Sequence, residues 1–84
     1  MRLVFDRNGW DDYTHWQVED RAVAKRLNRI VADTLRSPFD GIGKPEPLRY
    51  ELAGTWSRRV TDEHRLVYIV DGDDLIIVAA RYHY

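Results

Sequence analysis

The residues most capable of chemistry lie in the second half of the chain. They are Glu46, set between Pro45 and Pro47, the arginines Arg58, Arg59 and Arg65, and His83 in the terminal run Arg81-Tyr82-His83-Tyr84. Arginine presents a planar fork of donors that suits phosphate oxygens. Cleaving RNA without a metal needs a base for the 2′-hydroxyl proton, an acid for the leaving 5′-oxygen, and cations for the charge that builds on phosphorus. Glu46 can be the base and His83 the acid, with Arg65, Arg58 or Arg59 as the cations. A histidine near its unperturbed pKa of about 6.5 is partly protonated at neutral pH and can donate.

Each of these residues also has a plainer reading. A terminal histidine is commonly a surface residue, and an arginine on a small sheet commonly pairs with a neighbour such as Asp62 or Glu63. Two prolines restrict the backbone around Glu46 and present its carboxylate in a stiff, extended loop, or they merely route the chain from helix to sheet. On these residues alone both readings stand.

Several classes of chemistry lack their residues. His15, His64 and His83 show no zinc spacing, and the chain has no cysteine, so neither a thiolate metal site nor a disulfide is available. There is no glycine-rich phosphate loop and no serine nucleophile motif. The acidic cluster Asp71-Gly72-Asp73-Asp74 reads as a solvated turn. No cofactor is expected.

The 84 residues carry 13 Lys/Arg and 14 Asp/Glu, a net charge of −1. Neither half is basic, which argues against coating nucleic acid by bulk charge and leaves a local patch as the means of recognition. A chain of this length is read as one domain, residues 1–84. No apolar run approaches a membrane span, and the first residues lack the apolar stretch of a signal peptide, so a cytoplasmic protein with no membrane partner is expected.

The elements that must position these residues follow from periodicity. Leu3-Val4-Phe5 reads as a short strand. Asn8 is the expected cap of a first helix, with Asp11 and Asp12 in its first turn and Trp10, Tyr13 and Trp16 forming an aromatic stripe. The stripe reads as core in preference to a base-stacking platform. Asp20 caps a second helix through about Arg36. Its apolar face holds Val23, Leu27, Ile30, Val31 and Leu35, and its solvated face Arg21, Lys25, Arg26 and Arg29. From Leu48 the period becomes two, giving strands over 48–52, 56–61, 64–70 and 75–81. The fold class is therefore α+β: two N-terminal helices packed on one face of a mainly antiparallel twisted sheet.

A plain hairpin pairing Val70 with Leu75 sets Arg65 opposite Ala80 and turns Arg65 and His83 to opposite faces. The two can converge only if a bulge shifts the register or if His83 lies past the regular ladder. An irregularity is expected in one of the last two strands.

Trp10-Asp11-Asp12-Tyr13, Gly43-Lys44-Pro45-Glu46-Pro47-Leu48, Trp56-Ser57-Arg58-Arg59, Glu63-His64-Arg65-Leu66-Val67-Tyr68 and Arg81-Tyr82-His83-Tyr84 together resemble the YoeB (Txe) toxins of the RelE superfamily, from the first strand to the last residue. The resemblance implies a RelE or microbial-ribonuclease-like fold. It also implies a type II toxin that cuts mRNA in the A site of the 70S ribosome without metal, leaving a 2′,3′-cyclic phosphate and stopping translation. Glu46 is then the general base, His83 the general acid, and Arg65 the stabiliser of the pentacoordinate phosphate. Arg59, Tyr84, Lys44, Arg49 and Arg58 hold substrate. The implied partners are a YefM-like antitoxin, operator DNA bound through that antitoxin, and a second copy in a homodimer. Arg49 stands where relatives commonly have Lys, and Tyr50 where many have His. The alternative is a RelE-like module with weak catalysis, acting as an antitoxin-bound transcriptional corepressor.

Overall fold

A computed structural model of the chain describes residues 1–48 and 54–82. Helix α1 (Arg7–Glu19) and helix α2 (Arg21–Arg36) follow strand β1 (Arg2–Phe5). Strands β2 (Glu46–Pro47), β3 (Thr55–Arg59), β4 (Arg65–Asp71) and β5 (Asp74–Ala79) complete the fold. The five strands form one sheet in the order β1-β5-β4-β3-β2. All neighbours are antiparallel except β1 and β5, which run parallel.

Asp20 separates the helices and serves both. Its N–H donates to the Trp16 carbonyl at the end of α1. Its carboxylate accepts from the N–H groups of Ala22 and Val23 at the start of α2, satisfying donors that a helix N-terminus leaves free. The expected cap at Asn8 is corrected. Asp6 caps α1 by accepting from Gly9 N–H at 2.7 Å, and the Asn8 amide instead donates to the Val78 carbonyl at 2.8 Å. The N-terminal turn of α1 lies so close to β5 that a Cβ at Gly9 would collide with the Ile77 carbonyl.

The apolar stripe of α2 meets one face of the sheet. Leu27, Ile30 and Val31 pack with Leu66, Tyr68, Leu75 and Ile77. Each such aliphatic side chain contributes about 1.5–3 kcal/mol when fully buried. Trp16 belongs to this core, whereas Trp10 at the other end of its stripe is half exposed. Trp10 packs edge-on against Phe5, at 5.5 Å between ring centroids.

The β4–β5 hairpin begins as a plain ladder, with Val70 opposite Leu75 and Tyr68 opposite Ile77, and then shifts so that Val67 faces Ala79. Val78 is the extra residue of a bulge, the irregularity expected in the last two strands. Strand β5 stops at Ala79, two residues short of expectation, because α1 takes over the next peptide. The Ala80 N–H donates to Asp12 and its carbonyl accepts from the Trp16 indole, at 2.9 and 2.8 Å.

The strand expected over 48–52 falls mostly outside the described residues. Its described edge begins earlier, at Glu46, and Leu48 N–H continues the ladder to the Thr55 carbonyl. Glu46 is therefore not in a loop but on an edge strand, where flanking prolines cost no ladder bond that a neighbour needs. Among the described residues, no helix is long and apolar enough to cross a membrane.

Candidate active site

Residues opposite one another in a ladder share a face of the sheet. Glu46 lies opposite Ser57, Ser57 opposite Val67, and Arg59 opposite Arg65. Because Leu66 and Tyr68 face the helices, alternation turns Glu46, Ser57, Arg59 and Arg65 to the other face. Three strands thus contribute one carboxylate, one hydroxyl and two guanidinium groups to a single surface.

The Arg65 side chain crosses this surface. Its Nη1 donates to Glu46 Oε1 at 2.9 Å and to Ser57 Oγ at 3.3 Å. The Glu46 side chain keeps 56% of its exposure and Arg65 keeps 20%, so the carboxylate is reachable while the guanidinium is braced from below. Arg59, opposite Arg65, is exposed, and so is Lys44, two residues before Glu46. Lys44 has a left-handed backbone, φ 52°, a conformation that turns the chain sharply into Pro45.

Tyr82, the last described residue, is tied to the strand that carries Arg65. The Arg65 N–H donates to the Tyr82 carbonyl at 3.0 Å, and the Tyr82 N–H donates to His64 Nδ1 at 2.8 Å. The His64 ring lies between Trp16 and Tyr82, with centroids 4.6 and 4.8 Å away. His83, Tyr84 and Arg49, expected in the site, lie outside the described residues, as does Tyr50.

The family model for the YoeB-like toxin of bacterial type II toxin-antitoxin systems matches residues 5–84. The chain belongs to the YoeB-like toxin family. It is 58% identical to the Toxin YoeB of Streptomyces coelicolor over 84 residues, the whole of both chains. Among solved structures it superposes on the YoeB/ParE toxin from Agrobacterium tumefaciens with a TM-score of 0.94 at 45% identity, again covering both chains completely. It also resembles the YoeB of Staphylococcus aureus, solved as a dimer (TM-score 0.92, 38% identity) and as a YoeB–YefM complex (0.89, 36%), each match covering 100% of this chain and 98% of that one.

One expected substrate residue is corrected by its burial. Arg58 alternates with Arg59 onto the helix-facing side of β3 and has no solvent exposure. Its guanidinium pairs with Asp33 of α2 at 2.7 Å and accepts no external anion, since its donors are already occupied. The Ile42 N–H and then the Arg58 guanidinium hold the Asp33 carboxyl below the usual carboxylate range. Burial pushes the Tyr68 phenol above its ordinary value, against the pull of Arg58.

Sequence reading also passed over three residues that shape the site without belonging to its charged set. Ser57 braces Arg65, while Asn8 and Asp12 fix the bulge and the end of β5. Their partners lie 8, 70 and 68 residues away, and such contacts leave no periodic trace.

Proposed function

We propose that this toxin is a metal-independent endoribonuclease that cuts mRNA in the ribosomal A site. The observation that supports it is the 2.9 Å pairing of the accessible Glu46 carboxylate with Arg65, with Arg59 on the same face. In this reading Glu46 removes the proton from a 2′-hydroxyl and the 2′-oxygen attacks the adjacent phosphorus. Arg65 turns its remaining donors to the pentacoordinate phosphate, where developing charge is stabilised. His83 protonates the departing 5′-oxygen, leaving a 2′,3′-cyclic phosphate and a 5′-hydroxyl. Lys44, Arg49, Arg59 and Tyr84 hold the strand.

The near-neutral chain has little long-range field to steer RNA. A codon already held by the ribosome removes that need, because orientation supplies much of the barrier lowering. A YefM-like antitoxin and a second copy of the chain are the proposed protein partners, by analogy with the S. aureus relative. Operator DNA is reached through the antitoxin, and the setting is the cytoplasm.

The test is cleavage of mRNA on a programmed ribosome with and without EDTA, followed by end-group analysis. Chelator-independent cutting in the A site with a cyclic phosphate supports the proposal. An intact message at saturating protein overturns it and leaves antitoxin-dependent operator binding as the activity to assay.

A further inference from the structure

We infer that Arg58 is a positioning residue for Glu46, acting through the segment that joins α2 to β2; the inference rests on the ribonuclease reading of Glu46. A guanidinium has five N–H donors in a fixed fork, and Arg58 makes five hydrogen bonds. Nε donates to the Tyr68 hydroxyl, Nη1 to Asp33 and the Ile42 carbonyl, and Nη2 to the carbonyls of Ser37 and Asp40. Tyr68 in turn donates to the Pro38 carbonyl at 2.7 Å. Four peptide carbonyls between residues 37 and 42 thus face one buried cation or its tyrosine partner.

The path from this hub to Glu46 has little slack. The Arg59 N–H holds the Gly43 carbonyl at 2.6 Å, Gly43 and Lys44 are left-handed, and Pro45 has its φ locked by the ring. A Cβ at Gly41 would collide with the Asp33 carboxylate, so the segment sits directly on the ion pair. Downstream, Glu46 is the first residue of β2, the outermost strand of the sheet, with a neighbour on one side only. A residue where an edge strand begins takes its place from the chain that leads into it, and the hub holds that chain from upstream. A buried ion pair often stabilises no better than apolar side chains of equal volume. The arrangement is better accounted for by the place it gives Glu46.

The test is a double-mutant cycle on programmed ribosomes. Arg58→Lys keeps the charge but supplies three donors in place of five. It is expected to lower kcat about 10- to 100-fold, the scale of a small misplacement of a reacting group, with KM nearly unchanged. In a Glu46→Ala background the same change is expected to have no further effect, whereas with Arg59→Ala the two effects multiply. An equal loss in the presence and absence of Glu46 overturns the inference, because a purely structural role acts on any background. Should Arg58→Lys fail to fold, Asp33→Asn keeps the cation and is read by the same cycle. If the wild type cuts no mRNA, the ribonuclease reading fails by itself. Amide exchange then decides the positioning: faster exchange at Ile42, Gly43, Lys44 and Glu46 alone supports it, and a uniform change or none overturns it.

Discussion

Arg65 reaches across the whole width of β3 to Glu46. The two residues are 19 apart in sequence and lie on strands separated by a third, yet Nη1 and Oε1 are 2.9 Å apart, with Ser57 Oγ below the bridge. Two strand spacings are about 9.5 Å, a distance that a long arginine spans and a shorter cation would not. The pair is too solvated to matter much for folding, since exposed ion pairs contribute roughly 0–1 kcal/mol. Its value lies in placing a cation against an accessible carboxylate.

Glu46→Ala is therefore expected to separate activity from stability. Loss of a general base lowers cleavage about 10²- to 10⁴-fold, while Tm moves by no more than roughly 4–8 °C, the equivalent of about 1 kcal/mol in a domain of this size. Single-turnover cleavage beside a thermal melt checks both halves. A large fall in Tm would show that the residue holds the fold, and would remove the catalytic interpretation of any lost activity.

The adjacent arginines of β3 are expected to behave oppositely. Arg59 is exposed and opposite Arg65, so Arg59→Ala should change stability by no more than about 0.5 kcal/mol and raise KM for the programmed ribosome. Arg58→Met leaves Asp33 without its cation and costs about 3–5 kcal/mol, the range for breaking one side of a buried pair. Urea denaturation of the two variants is the measurement. Equal midpoints would contradict the burial difference between them.

Asp33 gives the fold a defined acid response. Its folded pKa is depressed by the Ile42 N–H and by Arg58, so its contribution is fully present above the unfolded value of about 3.9. The contribution is lost as pH falls through the lower folded value, because the unfolded state then binds the proton more readily. Asp74, held low by Arg2, acts in the same direction. Tm should therefore fall on acidification below about pH 4, and the slope should be shallower in Asp33→Asn. A variant with the wild-type slope would assign the acid response to other carboxylates.

The sequence carried more about Arg58 than a count of arginines suggests. Trp56 and Arg58 share one parity of β3, which Val60 continues just past its end, and both neighbours are apolar, which marks the inward side. The general rarity of buried arginine argues the other way, and its compensating acceptors come from a helix and a connection 16 to 25 residues away. The bulge was legible for a different reason. Plain alternation puts Arg65 and His83 on opposite faces, so the chemistry called for either a shifted register or an end to the ladder before His83. What no local pattern could show is which groups hold the shift, since Asn8 and Asp12 lie on the first helix and their partners on the last strand and just past its end.

Asp12 supplies the test of that hold. Its carboxylate takes the Ala80 N–H, three residues before His83, at the point where β5 leaves the ladder. Asp12→Ala leaves that buried peptide N–H without an acceptor, at a cost of about 1–3 kcal/mol, and releases the segment that leads to the proposed acid. Cleavage should fall roughly 10- to 100-fold, the effect of a small displacement of a reacting group, whereas Asp12→Asn keeps an acceptor oxygen and should restore most of the rate. Comparing the two variants at equal folded fraction separates position from charge. If Asn is as slow as Ala, the negative charge of Asp12 is what matters, and the carboxylate acts on the site by its field and not by holding the strand.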